Sequence, residues 1–243
     1  MAGSADERTD GLVLVSYNIR GGRDLADRAN IDRQLDLVRS LKPDVLALQE
    51  VDRDWARSGS IDQCEYFAAG LGMRAFYAPN LLGTWSSEAR PAQYGVAVLW
   101  KGCARPGGGN ALPGLPEREP RGFAWAQLQH DETPFIAISA HLGRHEVGRI
   151  WQIESLRDWL SRCNVPVVLA GDFNMQPGSP AYQSITQHLN DLTVGADLLT
   201  FPSDRPSQQI DYVFASHGVK ALSARTVNVT DSDHVPVVLR IDL

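Results

Sequence analysis

The chain has 243 residues, of which 43% are hydrophobic and 21% are charged. This is the composition of a globular protein, and it excludes disordered, collagen-like and disulfide-scaffold chains. The 23 basic and 29 acidic residues give a formal charge of −6, so a broad basic face for long nucleic acid is not expected, although a local basic patch is compatible with this average.

Cysteine usage and hydropathy predict where the protein resides. Cys64, Cys103 and Cys163 are scattered, with no CxxC or Cys/His spacing, which predicts free thiols rather than a zinc site or a disulfide framework. The segment MAGSADERTDG is polar and acidic, unlike a signal or transit peptide. No apolar run approaches the ~20 residues of a membrane-spanning helix. We therefore expect a cytoplasmic protein with no membrane span and no obligate protein partner.

The N-terminal part of the chain alternates short apolar runs with one helical pattern. Residues 31–41 place apolar side chains on one face of a predicted helix, with Asn30 as the expected N-cap. Strands are predicted at residues 12–17, 44–49 and 95–100.

The rest of the chain begins with a long loop, predicted over residues 102–120 from its Gly and Pro content. A helix is predicted over residues 146–163, and Ser179 and Pro180 supply an N-cap and a first-turn proline for another helix that runs to about residue 189. The apolar face of the first helix is expected to hold Val147, Ile150, Trp151, Leu156, Trp159, Leu160 and Cys163. Strands are predicted at residues 122–129, 134–140, 165–171, 210–215 and 235–241.

These patterns also predict the architecture. Most of the strands are continuously apolar, so both faces of each sheet should be covered. About ten strands and three or four helices, with no linker between them, indicate one α/β (α+β) domain of layered sheets flanked by helices. We expect a flexible tail at residues 1–10 and a single domain over residues 11–243.

Eight polar side chains fall at or beside the ends of predicted strands, where a rigid scaffold can hold them over a shared cleft. A turn-forming role explains any one of them but not the whole set. Their types fit one chemistry: hard oxygen ligands for a divalent cation, amide donors for an anion, and two histidines that can carry protons. The eight are Asn18, Glu50, His141, Asp172, Asn174, Asp211, Asp233 and His234.

Spacing assigns roles to some of these residues. Asn18 and Glu50, at the ends of neighbouring strands, would give Mg²⁺ one amide oxygen and one carboxylate. Asp172 and Asn174, two residues apart in a turn, can aim a carboxylate at a water molecule and an amide at a phosphoryl oxygen. These pairs predict chemistry on a phosphate group.

A further pair joins two different strands. Asp211 would hold one imidazole nitrogen of His234, which fixes the tautomer and raises the basicity of the ring. The other nitrogen would then act on the phosphate. Residue types and order leave the general base open between Asp172 and the His234–Asp211 pair, and we favour Asp172.

Six sequence blocks carry a family resemblance. They are SYNIRGG (16–22), LQEVD (48–52), SAHLG (139–143), GDFN (171–174), IDYVF (210–214) and SDHVPV (232–237). In this order they resemble the endonuclease/exonuclease/phosphatase superfamily, over essentially the whole chain. Its members include deoxyribonucleases, abasic-site endonucleases, neutral sphingomyelinases, inositol polyphosphate 5-phosphatases and tyrosyl-DNA phosphodiesterases. The resemblance implies a four-layer α/β sandwich, in which two packed mixed β-sheets are flanked by helices and one active site lies at the sheet ends.

The resemblance also implies roles at individual positions. Asp172 resembles the water-activating carboxylate of the family and Asn174 its phosphate-contacting amide. His234, partnered by Asp211, resembles the essential histidine. His141 resembles the second histidine, which is found in deoxyribonuclease- and sphingomyelinase-like members.

Metal-site and substrate-binding residues follow in the same way. Asn18 and Glu50 resemble metal-site residues, with Asp233 as a further ligand, and the implied cofactor is Mg²⁺, with Mn²⁺ as an alternative. In REPRGFAWAQL, Arg118 or Arg121 would reach a phosphate, and the ambiguous register leaves open which of them does. The weaker substrate-binding candidate is Tyr94, for which a packed strand-edge position is the alternative. Residues 84–94 and 102–120 are expected to border the cleft.

The predicted function is metal-dependent hydrolysis of a phosphate ester. The segment HLGRHEVGRIWQIESL resembles short bacterial members of the superfamily, which are mostly assigned only as metal-dependent hydrolases. A generic phosphodiesterase ranks first, followed by a DNA or RNA endonuclease or exonuclease and by a lipid or small-molecule phosphatase of the sphingomyelinase or inositol-phosphatase kind. The alternative of a different class is an inactive binding scaffold. Zincin HExxH and G-x-S-x-G motifs are absent from the sequence.

Overall fold

The computed structural model describes residues 11–85, 91–105 and 107–243. The tail predicted at residues 1–10, and residues 86–90 of the segment expected to border the cleft, lie outside the described residues. In chain order the elements are β1 (Leu12–Asn18), α1 (Ile31–Leu41), β2 (Val45–Arg53), α2 (Gln63–Leu71), β3 (Arg74–Trp85), β4 (Pro91–Trp100), β5 (Gly108–Leu112), β6 (Arg121–His130), β7 (Thr133–His141), α3 (Glu146–Leu160), β8 (Val167–Asp172), α4 (Pro180–Thr186), β9 (Asn190–Asp191), β10 (Asp211–Ala215), β11 (Lys220–Thr226) and β12 (Val237–Asp242).

The described strands form two six-stranded mixed sheets with related topologies. The first has the order β11-β12-β1-β2-β4-β3 and the second the order β5-β6-β7-β8-β10-β9. Each sheet contains one parallel pair at its centre, β1 with β2 and β7 with β8, and antiparallel neighbours elsewhere. The carboxyl ends of both parallel pairs lie at the same edge of the molecule, because side chains at the ends of β1 and β8 are in contact.

Three apolar clusters hold the layers together. Leu14 of β1 and Val168 of β8 belong to the cluster between the sheets. Tyr17 of β1 points to the opposite face and packs under α1 and α2, and Ile138 of β7 packs under α3 and α4. Because strand side chains alternate between faces, continuously apolar strands bury both faces at once. The helix–sheet–sheet–helix order confirms the predicted four-layer sandwich.

The buried face of α3 differs from the predicted face. Val147 and Trp151 are each 45% exposed, whereas Ile153 is fully buried. Arg149 and Gln152 are also buried, although they are polar. Their side chains bond the backbone of the preceding loop, so polar residues occupy part of the inward face and conceal it from an apolar pattern. The prediction was wrong for Val147 and Trp151, and the helix ends at Leu160 rather than at residue 163.

Other boundaries shift for local reasons. The helix that follows Ser179 ends at Thr186, because the chain then turns to form β9 beside β10. The predicted cap of this helix is confirmed, since the Ser179 side chain accepts a hydrogen bond from the Tyr182 amide at 3.4 Å. Asn30 makes no such cap, and its side chain instead donates to the Asp231 carbonyl at 2.9 Å.

The predicted loop at residues 102–120 contains a strand, β5. The glycines of β5, Gly108 and Gly109, are explained by close packing and not by turns. A Cβ at Gly109 would lie 2.5 Å from the Ala78 Cβ, and one at Gly108 would lie 2.8 Å from the Trp125 ring. The hydropathy patterns of the sequence also failed to predict α2, β3, β9 and β11, which are present in the structure. Within the described residues no helix is long and apolar enough to cross a membrane.

Candidate active site

The buried carboxylate of Asp172 is the centre at which the predicted polar residues meet. Asp172 ends β8 and is 2% exposed. Its Oδ2 accepts a hydrogen bond from the Asn18 amide at 3.0 Å and lies 3.3 Å from His141 Nε2 and 3.6 Å from His234 Nε2. Its Oδ1 accepts the Asn174 backbone N–H at 2.9 Å. Segments from both sheets therefore converge on one charged group.

A glycine beside Asp172 makes this position possible. Gly171 has φ +154°, and a Cβ there would lie 1.9 Å from the Ala140 carbonyl oxygen. In the parallel β7–β8 ladder, Ala140 is the partner of Gly171, and His141 is the partner of Asp172. Close approach of the two backbones at Gly171 therefore brings the His141 imidazole beside the carboxylate one residue later.

The sequence predicted that Glu50 ends its strand, and this was wrong, because β2 continues to Arg53. Glu50 instead reaches the site through an irregularity within β2. The pairing of β2 with β4 shifts between Leu48 and Val51, and Glu50 has φ +57°. A bulge of this kind re-aims a side chain. The Asn18 amide donates to Glu50 Oε1 at 3.2 Å, so Asn18 links Glu50 to Asp172.

The site has donors suited to a hard divalent cation. Within the described residues Glu50 forms no direct ion pair, although the charges of Arg57 and Arg121 are near enough to interact with it. Its carboxylate is only partly exposed and lines a cleft, and a cation that joined it would balance its charge directly. The amide nitrogen of Asn18 contacts Glu50 and Asp172, and its amide oxygen accepts the Arg20 backbone N–H at 3.1 Å, which leaves one lone pair of that oxygen for a cation. Carboxylate and amide oxygens are ligands of Mg²⁺, so these residues fit such an ion.

Asp233 lies beside this pair but has other contacts. Its Oδ2 is 3.5 Å from Arg20 Nε, and its Oδ1 accepts from the Ser232 hydroxyl at 3.3 Å. Ser232 also donates to the Asn18 carbonyl at 2.7 Å, which fixes the loop that carries Asp233 against the end of β1. In the described chain, the acidic and histidine atoms that cluster within 4.8 Å of one another belong instead to Asp172, Asp211 and His234.

His234 is held by a second buried carboxylate. Its Nδ1 lies 2.9 Å from Asp211 Oδ2, and its ring centroid lies 5.0 Å from that of Phe201. Because Nδ1 faces Asp211, Nε2 faces Asp172. The predicted pairing of Asp211 with His234 is present in the structure.

Burial and neighbouring charges shift the pKa values of these groups in different directions. Burial alone would raise the pKa of Asp172, but His141 and His234 together lower it well below the usual range. Burial raises the pKa of Asp211 despite the nearby imidazole. Burial lowers the pKa of His234, but Asp211 and Asp172 outweigh it and raise the value to about 10. At neutral pH Asp172 is therefore ionised and His234 carries a proton.

His141 and Asn174 form the remaining side of the site. The Asn174 amide nitrogen lies 3.3 Å from His141 Nε2 and donates to the Leu142 carbonyl at 3.0 Å. Asn174 has φ +49°, a conformation that asparagine tolerates better than most residues. Among the described residues, the buried Nδ1 of His141 has no hydrogen-bond partner.

A cleft of about 460 Å³ opens beside Glu50 and contains the predicted substrate-binding residues. Arg121 is buried in its wall, where Nη1 donates to the Tyr94 hydroxyl at 3.4 Å and pairs with Glu119. Tyr94 is 4% exposed, which fits a packed strand residue at the edge of the cleft. Arg118 also lines the cleft but is exposed to solvent.

Sequence reasoning missed several residues that support the site. Buried between the sheets, the Gln49 amide donates to the Ser139 hydroxyl at 3.1 Å, and Ser139 donates to the Leu48 carbonyl at 2.9 Å. Ser232 fixes the end of β1, as described above. All three lie inside the sequence blocks LQEVD, SAHLG and SDHVPV. Their position inside those blocks could have identified them. Residue type alone could not, because it does not distinguish a buried polar residue from one on the surface.

Comparisons with known proteins identify the family and the fold of the chain. Residues 15–234 match the model of the endonuclease/exonuclease/phosphatase family. None of the curated proteins matches the chain significantly.

Several solved structures share the fold. A mannosyl-6-phosphatase of Bacteroides thetaiotaomicron has a TM-score of 0.79 and 17% identity, with 96% of this chain and 100% of that chain covered. An endonuclease/exonuclease/phosphatase from Bacteroides vulgatus has a TM-score of 0.78 and 19% identity, with 96% and 99% covered. The human Nocturnin catalytic domain, solved with a bound sulfate anion, has a TM-score of 0.72 and 18% identity, with 96% and 94% covered. The chain belongs to the endonuclease/exonuclease/phosphatase family, whose members are generally phosphoester hydrolases.

Proposed function

We propose that this chain hydrolyses phosphate esters, preferably diesters, with Mg²⁺ as its cofactor and water as the nucleophile. The observation that carries the proposal is the convergence of Asn18, His141, Asn174 and His234 on the buried carboxylate of Asp172. Burying charged groups costs folding free energy, so a buried group of this kind points to chemistry rather than stability.

Asn18 and Glu50 are the residues proposed to hold the cation, with Asp233 as a further ligand. Their support is the chemistry of the donor set and the lack of a direct ion pair at Glu50 within the described residues. When bound, the cation supplies charge neutralisation at the phosphoryl and leaving oxygens.

Asp172 is proposed to orient the attacking water and to take its proton. The carboxylate stays ionised at neutral pH, because its pKa is lowered, so it can accept a hydrogen bond from water. The oxygen of that water bonds to phosphorus, the proton passes to Asp172, and the bond from phosphorus to the leaving oxygen breaks. His234 already carries a proton, which favours Asp172 over His234 as the base.

The remaining residues are proposed to stabilise the phosphoryl oxygens. His234 and His141 would donate hydrogen bonds to these oxygens, and Asn174 would donate through its amide. Asp211 acts through His234, by keeping Nε2 turned toward the reacting group. Arg121, with Tyr94 beside it, would contact the phosphate from the wall of the cleft.

Replacing either central residue tests the proposal. Asp172→Asn and His234→Ala should each lower kcat for bis-p-nitrophenyl phosphate by about 10²–10⁴, because each removes a group that takes part in proton transfer or charge stabilisation. Asp242→Asn is the matched control, since Asp242 is exposed at the opposite end of the first sheet. Near-wild-type turnover of both site variants would overturn the proposal.

A cytoplasmic location is proposed on the basis of the cysteines. Cys64, Cys103 and Cys163 are all free, and Cys103 is exposed. Exposed thiols persist in the reducing cytosol and are oxidised more readily outside it. Fractionation of the native host with the protein detected by antibody would test this location.

A further inference from the structure

The cleft beside Glu50 carries more positive charge than the rest of this acidic chain. It is bounded by the loop before α3, by the first turn of α3 and by the segment that precedes β6. Among the residues that the structure describes, two carboxylates line it, Glu50 and Glu119. The basic residues that line it are Arg57, Arg118, Arg121, Arg144 and His145.

Two of these arginines are already neutralised by the protein. Arg57 forms a two-pronged ion pair with the buried Asp52, at 2.7 and 2.9 Å, and lies over the Trp55 ring at 4.4 Å. Arg121 pairs with Glu119. The charge of Glu119 is therefore balanced by Arg121. The carboxylate of Glu50 accepts a hydrogen bond from Asn18, on the side of the cleft where Asp172 lies.

Arg118 and Arg144 are left without a carboxylate partner. Neither forms an ion pair with any residue of the described chain, and both side chains lie on the wall of the cleft. Arg121, whose side chain is 8% exposed, also has a buried Nε with no hydrogen-bond partner among the described residues. A concave surface with uncompensated guanidinium groups is suited to an anion, because Arg binds phosphate and carboxylate oxygens through several N–H donors.

The segment that carries Arg144 is held in place by the protein. The Gly143 amide donates to Gln152 Oε1 at 2.8 Å, and the Arg149 guanidinium donates to the Gly143 and Arg144 carbonyls. Gln152 is in turn tied to the Pro113 carbonyl at 3.1 Å. These bonds explain why polar side chains are buried on α3, and they fix the backbone that carries Arg144 before any ligand binds.

We propose that the cleft is a second anion-binding subsite, in which Arg118 and Arg144 bind an anionic group on the part of the substrate that is not hydrolysed. The inference rests on the proposed function and deepens it: the substrate class is a compact phosphate ester that bears a second phosphate or carboxylate. The cleft volume of about 460 Å³ is that of a small-molecule site. The chain charge of −6 opposes a long polyanion, which disfavours nucleic acid as the occupant.

Inhibition of bis-p-nitrophenyl phosphate hydrolysis tests the subsite without knowledge of the natural substrate. Fructose 1,6-bisphosphate and fructose 6-phosphate are compared as inhibitors at fixed free Mg²⁺, since the bisphosphate also binds the cation. The bisphosphate should have an inhibition constant lower by about 10-fold or more, as expected for an added charge-assisted contact. Arg118→Ala and Arg144→Ala should each raise the constant of the bisphosphate by about 10-fold and should raise that of the monophosphate much less.

Arg74→Ala is the matched control, because Arg74 is exposed at the opposite end of the first sheet and its loss changes the total charge equally. It should change neither inhibition constant. Equal constants for the two inhibitors, or equal effects of the cleft variants on both, would overturn the subsite. Stronger inhibition by a single-stranded oligonucleotide at the same phosphate concentration, lost in Arg118→Ala and Arg144→Ala, would overturn the compact-substrate assignment. Absence of bis-p-nitrophenyl phosphate hydrolysis in wild type would instead count against the proposed function itself.

Discussion

The residue that organises the site is Asp172, and each neighbour of this carboxylate is fixed by a bond of its own. Asn18 is tied to Glu50, and His234 is tied to Asp211. The charged groups therefore keep their positions before substrate arrives. Such pre-organisation is what makes hydrogen-bond donors effective toward charge that develops during a reaction.

Asp211→Asn tests whether this carboxylate acts through His234. An asparagine keeps the size of the side chain but removes the negative charge that faces Nδ1, so the tautomer and protonation of the imidazole change. We expect kcat for bis-p-nitrophenyl phosphate to fall by about 10²-fold or more, with a shift in the pH–rate profile. The measurement is kcat against pH for both proteins.

A double variant provides the control for that experiment. If Asp211 acts only through His234, the variant with both Asp211→Asn and His234→Ala should be no slower than His234→Ala alone. Multiplied losses in the double variant would mean that Asp211 has a separate role.

Residue types and positions predicted where several of the polar residues lie in the fold but not what surrounds them. Asn18, His141 and Asp172 end their strands as expected, because an apolar run that stops at a polar residue is visible in the sequence. Glu50 is placed by a bulge, which has no local signature. Arg144 reaches the cleft through tertiary bonds to α3, and these cannot be inferred from its neighbours in the chain.

At the scale of elements, α3 is the helix whose two faces differ most from the sequence pattern. Its exposed face carries Val147 and Trp151, and its buried face carries Arg149 and Gln152 beside Ile153. The polar pair is buried because it bonds the cleft loop. An apolar stripe is a reliable guide only where the covered surface is itself apolar.

A pair of substitutions on α3 tests this face. Ile153→Ala should lower the free energy of unfolding by about 2–5 kcal/mol, because it leaves a cavity under the helix. Val147→Ala, on the same helix, should change it by less than about 0.5 kcal/mol. Urea unfolding of both variants measures the difference, and equal losses would mean that the helix is rotated from the position described here.

Other elements were missed because their sequences lack an apolar signal. β11 lies at the edge of the first sheet, pairs with β12 alone among the described strands and is largely exposed, so its composition resembles that of a loop. β5 contains glycines that are required by close packing against Ala78 and Trp125. In contrast, β8 and β12 are buried on both faces, and their apolar runs predicted them directly.

At the scale of the whole molecule, the proposed cation joins segments that are distant in sequence and that only the folded first sheet brings together. Asn18 ends β1, Glu50 lies in β2, and the loop that carries Asp233 precedes β12 and is bonded to the end of β1. A ligand that binds only the folded state stabilises it. Cation binding should therefore be measurable as thermal stability, independently of turnover.

Mg²⁺ should raise the Tm of wild type by about 5 °C or more at a concentration 100 times its Kd, and chelator should reverse the rise. Glu50→Gln should lose most of this shift, because a charged ligand is replaced by a neutral amide. Glu132→Gln, exposed in the turn between β6 and β7, is the control and should keep it. EDTA should also abolish hydrolysis, and Mg²⁺ or Mn²⁺ should restore it. An unchanged Tm together with full activity in chelator would remove the cation from the proposed function.

The order of strands in the first sheet has a consequence for biosynthesis. β12 lies between β11 and β1, so β1 keeps an open edge until more than two hundred further residues have left the ribosome. His234, which lies shortly before β12 in the chain, arrives with it. A nascent chain can therefore carry a finished Asp172 segment and still lack the imidazole that faces it. The arrangement makes completion of the proposed site depend on the emergence of β12, which gives the first strand its second neighbour.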